Sequence, residues 1–228
     1  MTDLAVITGA SRGVGRAAAR AFAHRGLAVA LLGHASAQLE EAAAELRGHG
    51  KTALAVDCDV ADAAAVDRAA VVVLRELGAP RVVVNNAGIV RRGALVHEAR
   101  VEDWDQVIAV NLRGPFLVSR AFLPAMLEAR RGRFVHVSSI SATLGSPGAA
   151  SYAASKWGLV GLAKSLAEEL RGKGLESVAL LPGSIDTDML VGSGFPPRMS
   201  ADEVAAMIVH AGLDAPAAIT GSAIEMFG

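Results

Sequence analysis

Short runs of β-forming residues alternate with helical stretches along the chain, and this alternation limits the fold more than any other feature of the sequence. Two parallel strands need a long crossover connection between them, which is usually a helix. The alternation therefore predicts βαβ units on a parallel sheet that helices cover on both faces. We expect an α/β fold with a doubly wound parallel sheet of about seven strands. The predicted strands are residues 4–8, 27–32, 52–56, 81–84, 133–137, 177–181 and 219–226.

The predicted helices lie between these strands. In the fifth of them, leucines recur at intervals of three and four residues, so one apolar stripe is expected to face the sheet. The chain has 228 residues, of which 52% are hydrophobic, and this size suits a single domain over residues 1–228. The predicted helices are residues 13–25, 36–47, 62–77, 101–130, 151–171 and 201–211.

Composition excludes several functional classes. The 22 basic and 23 acidic residues give a formal net charge of −1, so the sequence carries no electrostatic signal for nucleic acid or an anionic membrane. Cys58 is the only cysteine, which rules out an internal disulfide and fits a reducing compartment. Residues 1–4 lead straight into an apolar strand without a signal-peptide pattern, and no apolar run is long enough to span a bilayer. We expect a cytoplasmic protein without a metal site, because the six histidines show no ligand spacing.

A glycine-rich turn follows the first predicted strand. Gly9, Gly13 and Gly15 have the spacing Gly-x3-Gly-x-Gly between that strand and the next helix. Glycines let the backbone approach a ligand closely, and the amides of a helix N-terminus suit a pyrophosphate. The pattern predicts a dinucleotide site, and a purely structural turn is its alternative.

Tyr152 is the only tyrosine, and it stands four residues before Lys156 and thirteen after Ser139. Positions four apart share a face of a helix, so the Lys156 ammonium is expected to lie near the Tyr152 hydroxyl and to favour its phenolate. A free tyrosine has a pKa of about 10, which a neighbouring cation brings closer to neutrality. The pair has two interpretations: an acid–base site, or an ordinary Tyr–Lys pair on an amphipathic helix.

Further motifs follow the other strands. The sequence Asn-Asn-Ala-Gly at 85–88 follows the fourth, Ser139 follows the fifth, and a segment at 182–187 ends the sixth, while Asn111 lies in a predicted helix. In this order the motifs resemble those of the short-chain dehydrogenase/reductase family over residues 4–189. The resemblance implies a single-domain Rossmann-type fold and an oxidoreductase that moves a hydride between a nicotinamide cofactor and a carbonyl compound.

The resemblance implies cofactor contacts residue by residue. In the family, the glycine turn holds the phosphates and the adenosine ribose, and an Asp-Val pair lines the adenine pocket. The segment after the sixth strand holds the nicotinamide, with Thr187 bonding its carboxamide. For Asn86, a structural role in tying neighbouring strands is an equal alternative. The implied set is Gly9, Ser11, Arg12, Gly13, Val14, Gly15, His34, Asp59, Val60, Asn86, Ala87, Gly88, Tyr152, Lys156, Pro182, Gly183, Ile185 and Thr187.

The end of the second strand indicates which nicotinamide cofactor is used. NADP carries an extra phosphate, which cations favour and a carboxylate disfavours. Gly33 stands where relatives that prefer NAD commonly have an acidic residue, and the next carboxylate along the chain is Glu40. His34 and the Arg12 guanidinium suit a phosphate, so the sequence favours NADP(H) over NAD.

The resemblance also implies catalytic roles. Tyr152 would pass a proton to the carbonyl oxygen, Ser139 would hydrogen-bond that oxygen, and Lys156 would lower the pKa of the tyrosine and bind the nicotinamide ribose. Asn111 would hold a water that joins Lys156 to solvent. Ser138 competes with Ser139, but the family serine lies thirteen residues before the tyrosine, which selects Ser139.

Within the family, the chain is most similar to the 3-oxoacyl-acyl carrier protein reductases of fatty acid biosynthesis, in its glycine turn and in Arg130 and Lys173, where that group has carrier-binding cations. This similarity implies NADPH-dependent reduction of a 3-oxoacyl thioester, with an acyl carrier protein as partner. We expect a short substrate loop at about 188–200 and a homotetramer or homodimer that pairs through the long helices. The alternatives are reduction of another ketone, quinone or sugar, and a non-catalytic cofactor-sensing protein.

Overall fold

The computed structural model describes residues 2–145 and 147–228, and Met1 and Ser146 lie outside that description. Within it, seven strands form one parallel sheet in the order β3-β2-β1-β4-β5-β6-β7. This confirms the predicted α/β fold with a doubly wound parallel sheet. The strands are β1 Leu4–Thr8, β2 Ala28–Gly33, β3 Ala53–Asp57, β4 Val82–Asn85, β5 Gly132–Val137, β6 Leu175–Pro182 and β7 Ala223–Met226.

The helices differ from the prediction at one functionally important place. The helix predicted over 101–130 is divided by a π segment, Ala109–Arg113, in which the buried Asn111 lies. Wider helical turns of this kind are frequent at functional sites. The helices in the described residues are α1 Gly13–His24, α2 Ala37–Gly48, α3 Ala63–Leu77, α4 Val101–Ile108, α5 Gly114–Ala129, α6 Ala150–Leu170 and α7 Ala201–Val209.

The last predicted strand, 219–226, is too long. Ala217–Ile219 form a 3₁₀ turn, and Gly221 has a φ of +77°, which lies outside the β region. The Gly221 amide donates to the carbonyl of Ser177 at 2.8 Å, so this turn is fixed against the start of β6. The seventh strand therefore begins only at Ala223.

Alternate residues of β1 face opposite sides of the sheet. Ala5 and Ile7 pack in one buried cluster with α1, α2 and α7, whereas Leu4 and Val6 pack in a second with α3, α5 and α6. Both faces of the central strand are covered, which explains why its sequence is a continuous apolar run rather than an alternating one.

The strand order reverses direction between β1 and β4. From β1 the chain proceeds outward through β2 and β3, then returns to place β4 on the other side of β1. Ligands of such sheets bind outside the carboxyl ends of the strands at this reversal, because the loops there diverge. In the part of the chain that the structure describes, no helix combines the length and the apolar character needed to cross a membrane.

Candidate active site

A cleft with a volume of about 1630 Å³ opens at the carboxyl edge of the sheet. Most small-molecule pockets measure roughly 300–1,000 Å³, so this one has room for an extended ligand and a second, smaller one. Two residues of the predicted site, Gly15 and Asn111, do not line the cleft and pack behind it. The predicted residues that line it are Gly9, Ser11, Arg12, Gly13, Val14, His34, Asp59, Val60, Asn86, Ala87, Gly88, Ser139, Tyr152, Lys156, Pro182, Gly183, Ile185 and Thr187.

The glycine turn after β1 fits a pyrophosphate. Gly9 and Gly13 have φ values of +64° and +53°, which favour glycine. A Cβ on Gly15 would lie 2.2 Å from the Gly9 carbonyl oxygen, so only glycine allows α1 to start this close to the turn. Arg12, which precedes α1, does not cap the helix with its side chain. The first amides of α1 therefore remain available to an anion in the cleft.

Asn86 has the structural role that the sequence left as an alternative. Its Nδ2 donates to the carbonyls of Thr8 and Gly9 at 2.9 and 3.3 Å. The Thr8 hydroxyl in turn accepts from the amides of Asn86 and Ala87, both at 3.0 Å. These bonds join the ends of β1 and β4 beneath the cleft. Asn86 also lines the cleft, so a cofactor contact at this residue stays a prediction.

The end of β2 lies beside a carboxylate that was not among the predicted site residues. β2 and β3 pair with Gly33 opposite Asp57, and Asp57 accepts a hydrogen bond from the Ala35 amide at 2.7 Å. Sequence distance hides this neighbour, since Glu40 is the next carboxylate along the chain after His34. The register of two adjacent parallel strands was the signal that could have revealed it. This end of the cleft therefore combines His34, which is predicted to bind a phosphate, with the nearby carboxylate of Asp57, which would repel one.

Arg12 is paired across the mouth of the cleft. Its guanidinium hydrogen-bonds the carboxylate of Asp188, in the loop after β6. The two side chains are 65% and 76% exposed, so the pair adds little to stability. An anionic ligand that uses Arg12 has to compete with Asp188 for the guanidinium.

Tyr152 lies near the start of α6, partly buried in the cleft. A hydrogen bond with the Ser139 side chain and the charge of Arg92 both lower the pKa of its hydroxyl, but burial raises that pKa by more. The net direction is opposite to the predicted one, because desolvation of the phenolate outweighs the neighbouring donors. Tyr152 is therefore protonated at neutral pH and available as a proton donor.

Lys156 lies one turn further along α6 and is buried. Its Nζ donates to the carbonyl of Val137 at 2.9 Å and lies 5.6 Å from the centre of the Tyr152 ring. Burial lowers the pKa of this amine to about 8, so it still carries its charge at neutral pH. A cation beside the ring stabilises negative charge on the phenol when its proton leaves.

Asn111 connects the loop after β4 to α6. Its Oδ1 accepts from the Ile89 amide, and its Nδ2 donates to the Ile89 carbonyl, both at 2.8 Å. Nδ2 also donates to Ser155 Oγ at 3.0 Å, and this hydroxyl donates to the Tyr152 carbonyl at 2.7 Å. The Asn111 amide thus positions the turn of α6 that carries Tyr152. The predicted role of Asn111 in holding a water stays a prediction. Ser155 was not among the predicted site residues, and the only sequence signal for it was its position next to Lys156.

Two other residues have structural roles. The Ser138 hydroxyl donates to the Lys156 carbonyl at 3.0 Å, so it fastens α6 to the end of β5. Ser138 and Ser139 both line the cleft, and the choice of Ser139 as the serine that faces the substrate stays a prediction. Burial raises the pKa of the Cys58 thiol to about 11, which keeps it protonated and poorly nucleophilic.

The loop after β6 borders the substrate side of the cleft. It includes a 3₁₀ turn at Asp188–Leu190, and Met189 and Phe195 line the cleft with partly exposed apolar side chains. Arg92, from the loop between β4 and α4, donates to the Met189 carbonyl at 2.8 Å. The segment predicted as a substrate loop, 188–200, therefore lies against the catalytic end of the cleft.

The order of these groups along the chain is shared with known proteins. The family model for short chain dehydrogenase matches residues 3–194. The chain belongs to the short chain dehydrogenase family. It is an oxidoreductase of this family, and the family uses nicotinamide cofactors, which the glycine turn and the large cleft fit.

Relatives of this short chain dehydrogenase act on more than one kind of substrate. A 3-oxoacyl-acyl-carrier-protein reductase from Synechocystis sp. is 39% identical over 188 residues, which cover 82% of this chain and 76% of the relative. One from Staphylococcus aureus is 40% identical over 190 residues, or 83% and 77%. A D-threitol dehydrogenase from Mycolicibacterium smegmatis is 36% identical over 238 residues, or 99% and 91%.

Proposed function

We propose that this short chain dehydrogenase reduces the ketone of a 3-oxoacyl thioester with NADPH, and that an acyl carrier protein presents the substrate. The observation that carries the proposal is the meeting of Ser139, a protonated Tyr152 and a charged Lys156 at one end of a cofactor-sized cleft. Similarity to 3-oxoacyl-acyl-carrier-protein reductases over about four-fifths of the chain supports the substrate class.

The residues of this chain supply the acid half of the reaction. A bound nicotinamide would supply a hydride to the carbonyl carbon. The Ser139 hydroxyl orients the carbonyl oxygen, and Tyr152 Oη passes its proton to that oxygen as negative charge develops there. The Lys156 ammonium then stabilises the phenolate that remains. The raised pKa of Tyr152 favours this direction, because the acid is fully protonated at neutral pH.

The proposed preference for NADPH depends on the end of β2. His34 lines the cleft there, and no acidic side chain stands at Gly33 itself. Asp57 opposes the preference, although its carboxylate is occupied by the Ala35 amide. Comparison of kcat/KM for NADPH and NADH tests the choice, and we expect NADPH to be the better substrate. Asp57→Asn should widen that difference, because it removes a charge that repels the extra phosphate.

Carrier-protein docking would use cations at the opposite edge of the sheet. Arg130 follows α5 and Lys173 follows α6, so both lie exposed where β5 and β6 begin, whereas the cleft lies at the carboxyl ends of these strands. An acyl carrier protein held by these cations would therefore serve the cleft of a neighbouring subunit. The proposal thus includes an assembly of two or four copies.

Exposed aromatic side chains support that assembly. Trp157 on α6 is 55% exposed and Phe116 on α5 is 48% exposed. Large apolar side chains on a helix surface gain stability when a second copy covers them. We expect a homotetramer or homodimer, and Trp157→Ser should shift it toward monomer in size-exclusion chromatography with light scattering. Val71→Ser, at an exposed position on α3, is the control and should leave the mass unchanged.

A second candidate is interconversion of a polyol and a keto sugar. The D-threitol dehydrogenase aligns over 99% of this chain, whereas the carrier-protein reductases align over 82–83%. Oxidation of a polyol needs Tyr152 as a phenolate base, and burial opposes that state. The pKa direction therefore disfavours polyol oxidation at neutral pH, whereas reduction of a keto sugar would use the same protonated Tyr152 as the first candidate.

A substrate screen separates the two candidates. The absorbance of reduced nicotinamide is followed with an acetoacetyl thioester, a simple ketone, an aldehyde and a quinone, and in the reverse direction with D-threitol. We expect the highest kcat/KM for the thioester with NADPH. Faster turnover of D-threitol would replace the first candidate by the second.

A further inference from the structure

Arg92 brings a second cation to the catalytic end of the cleft. It lies in the loop between β4 and α4, lines the cleft, and donates Nη1 to the Met189 carbonyl at 2.8 Å. Its charge acts on the Tyr152 hydroxyl, so the guanidinium lies within electrostatic range of the proton donor. Arg92 was not among the predicted site residues.

Two other arginines near this loop are paired with carboxylates, whereas no ion pair is seen for Arg198, which also lines the cleft, within the described residues. Arg91 pairs with Asp103 at 3.4 Å, and Arg12 pairs with Asp188. Across residues 2–145 and 147–228, Arg92 takes part in no ion pair, and its one hydrogen bond is to a backbone carbonyl. A guanidinium has five N–H donors, so most of them remain for a ligand.

Apolar side chains line the same cleft as this cation. Leu144, Met189 and Phe195 line the same cleft and are partly exposed in it. Apolar side chains of this kind suit the carbon chain of a substrate, and the Arg92 guanidinium can bind an oxygen acceptor on it. In the proposed function Tyr152 and Ser139 bind the ketone oxygen, so Arg92 is left for a different oxygen of the same substrate.

We propose that Arg92 is a substrate-binding residue for a second carbonyl oxygen, close to the ketone that is reduced. This inference rests on the proposed function and assigns a residue of this chain to the second carbonyl of its β-dicarbonyl substrate. A thioester carbonyl and a carboxylate both present such an oxygen, and a guanidinium binds the carboxylate through two parallel hydrogen bonds. A ketone without a second oxygen has no acceptor to hydrogen-bond Arg92.

The test compares substrates that differ by one oxygen. Acetylacetone and 2-pentanone have the same carbon chain, but only acetylacetone has a second carbonyl. A charge-assisted hydrogen bond to an oxygen acceptor corresponds to about a 10- to 100-fold effect. We expect Arg92→Gln to lower kcat/KM for acetylacetone and an acetoacetyl thioester by about that factor, chiefly through KM, and to change 2-pentanone by less than about threefold.

Arg91→Gln is the matched control. This neighbour bonds Gln106 and Asp103 and does not line the main cleft, so its kinetics should equal those of the unaltered protein with every substrate. Arg92→Lys keeps the charge without the planar fork and should fall between Arg92→Gln and the unaltered protein. An equal loss with 2-pentanone, or no loss in Arg92→Gln, overturns the inference.

Two further comparisons complete the experiment. They show which functional group supplies the second oxygen, and they separate this inference from the proposed function. A larger loss with acetoacetate than with the thioester assigns the site to a carboxylate, and the reverse assigns it to a thioester. If the unaltered protein does not reduce the thioester, the proposed substrate is wrong, and acetylacetone against 2-pentanone still decides the role of Arg92. An unaltered protein that reduces 2-pentanone as well as acetylacetone overturns that role.

Discussion

Tyr152 and Lys156 respond to burial in opposite directions. Desolvation penalises the charged form of each group, so it raises the pKa of the phenol and lowers that of the amine to about 8. At neutral pH the pair is a protonated acid beside a cation. That state suits the reduction of a ketone, in which a proton has to reach a developing alkoxide.

The pKa of Lys156 predicts the alkaline limit of activity. We expect kcat/KM for ketone reduction to fall as the pH rises through about 8, because a neutral amine no longer stabilises the phenolate left on Tyr152. Steady-state kinetics from neutral to alkaline pH measure this limit. Lys164→Gln, at an exposed position on the same helix, should keep the same profile. Activity that stays constant well above this pH contradicts the assignment.

The sequence was sufficient to propose which side chains are catalytic, but not to predict the direction in which the pKa of Tyr152 is shifted. Helical spacing places Tyr152 and Lys156 on one side of α6, and the end of β5 places Ser139 opposite them. The direction of the Tyr152 pKa depends on how much of the side chain the fold covers. The fold also brings the charge of Arg92, 60 residues earlier in the chain, within range of the hydroxyl, and this charge partly offsets the effect of burial on the pKa.

At the scale of elements, the start of α1 depends on close backbone approach. A Cβ at Gly15 would lie 2.2 Å from the Gly9 carbonyl oxygen and 2.6 Å from Asn86 Nδ2. The same contacts join the turn after β1 to the end of β4. The shape of the phosphate cradle and the packing of the sheet ends are therefore coupled.

Gly15→Ala should impair both the phosphate-binding turn and the packing of the strand ends. We expect it to lower the free energy of unfolding by roughly 1–3 kcal/mol, as overpacking does, and to weaken nicotinamide binding. Gly48→Ala is the control, since nothing lies within 4 Å of a Cβ at that end of α2. It should raise stability by roughly 0.5 kcal/mol and leave binding unchanged. Chemical denaturation and a nicotinamide fluorescence titration measure the pair, and equal behaviour of the two variants contradicts this account.

The π segment Ala109–Arg113 is one element that sequence patterning failed to predict. The hydrophobic spacing over 101–130 suits one continuous helix, and a single wider turn leaves that spacing almost unchanged. The irregularity coincides with Asn111, whose amide bonds Ile89 and Ser155. These hydrogen bonds join residues that are distant in sequence. The spacing of hydrophobic residues within one helix carries no information about them, so it could not predict the π segment.

At the scale of the whole molecule, a buried polar group joins the centre of the sheet to α5. Asn85 Nδ2 lies 3.2 Å from His136 Nδ1 and donates to Ser119 Oγ at 3.1 Å. His136 is fully buried, and burial lowers its pKa to about 4. The folded protein therefore keeps this histidine neutral over a pH range in which the unfolded chain binds a proton.

This difference predicts loss of stability in acid. Between the ordinary histidine pKa of 6.5 and about 4, the unfolded state gains a proton that the folded state does not. His136 should then contribute a loss of roughly 1.4 kcal/mol per pH unit as the pH falls through that window. Urea unfolding of the unaltered protein and of His136→Gln at several pH values isolates this contribution. If the free energy of unfolding has the same slope against pH in the two proteins, His136 makes no such contribution.

The alternation of strands and helices was sufficient to predict the sheet, because each crossover has to return beside an earlier strand. Contacts between distant segments were not predictable in the same way. Arg12 and Asp188 are 176 residues apart, and their pairing depends on the loops after β1 and β6 meeting across the cleft. Sequence motifs therefore located the cleft and most of its lining, but not the charges that cross it.

Turnover by Tyr152→Phe tests the central claim most directly. The substitution removes one oxygen, which carries the proton, and retains the ring. We expect NADPH binding within about threefold of the unaltered protein and a fall in kcat of at least about 100-fold, since general acid catalysis contributes factors of this size. A variant that binds NADPH and reduces a ketone at the unaltered rate would show that the proton comes from another group.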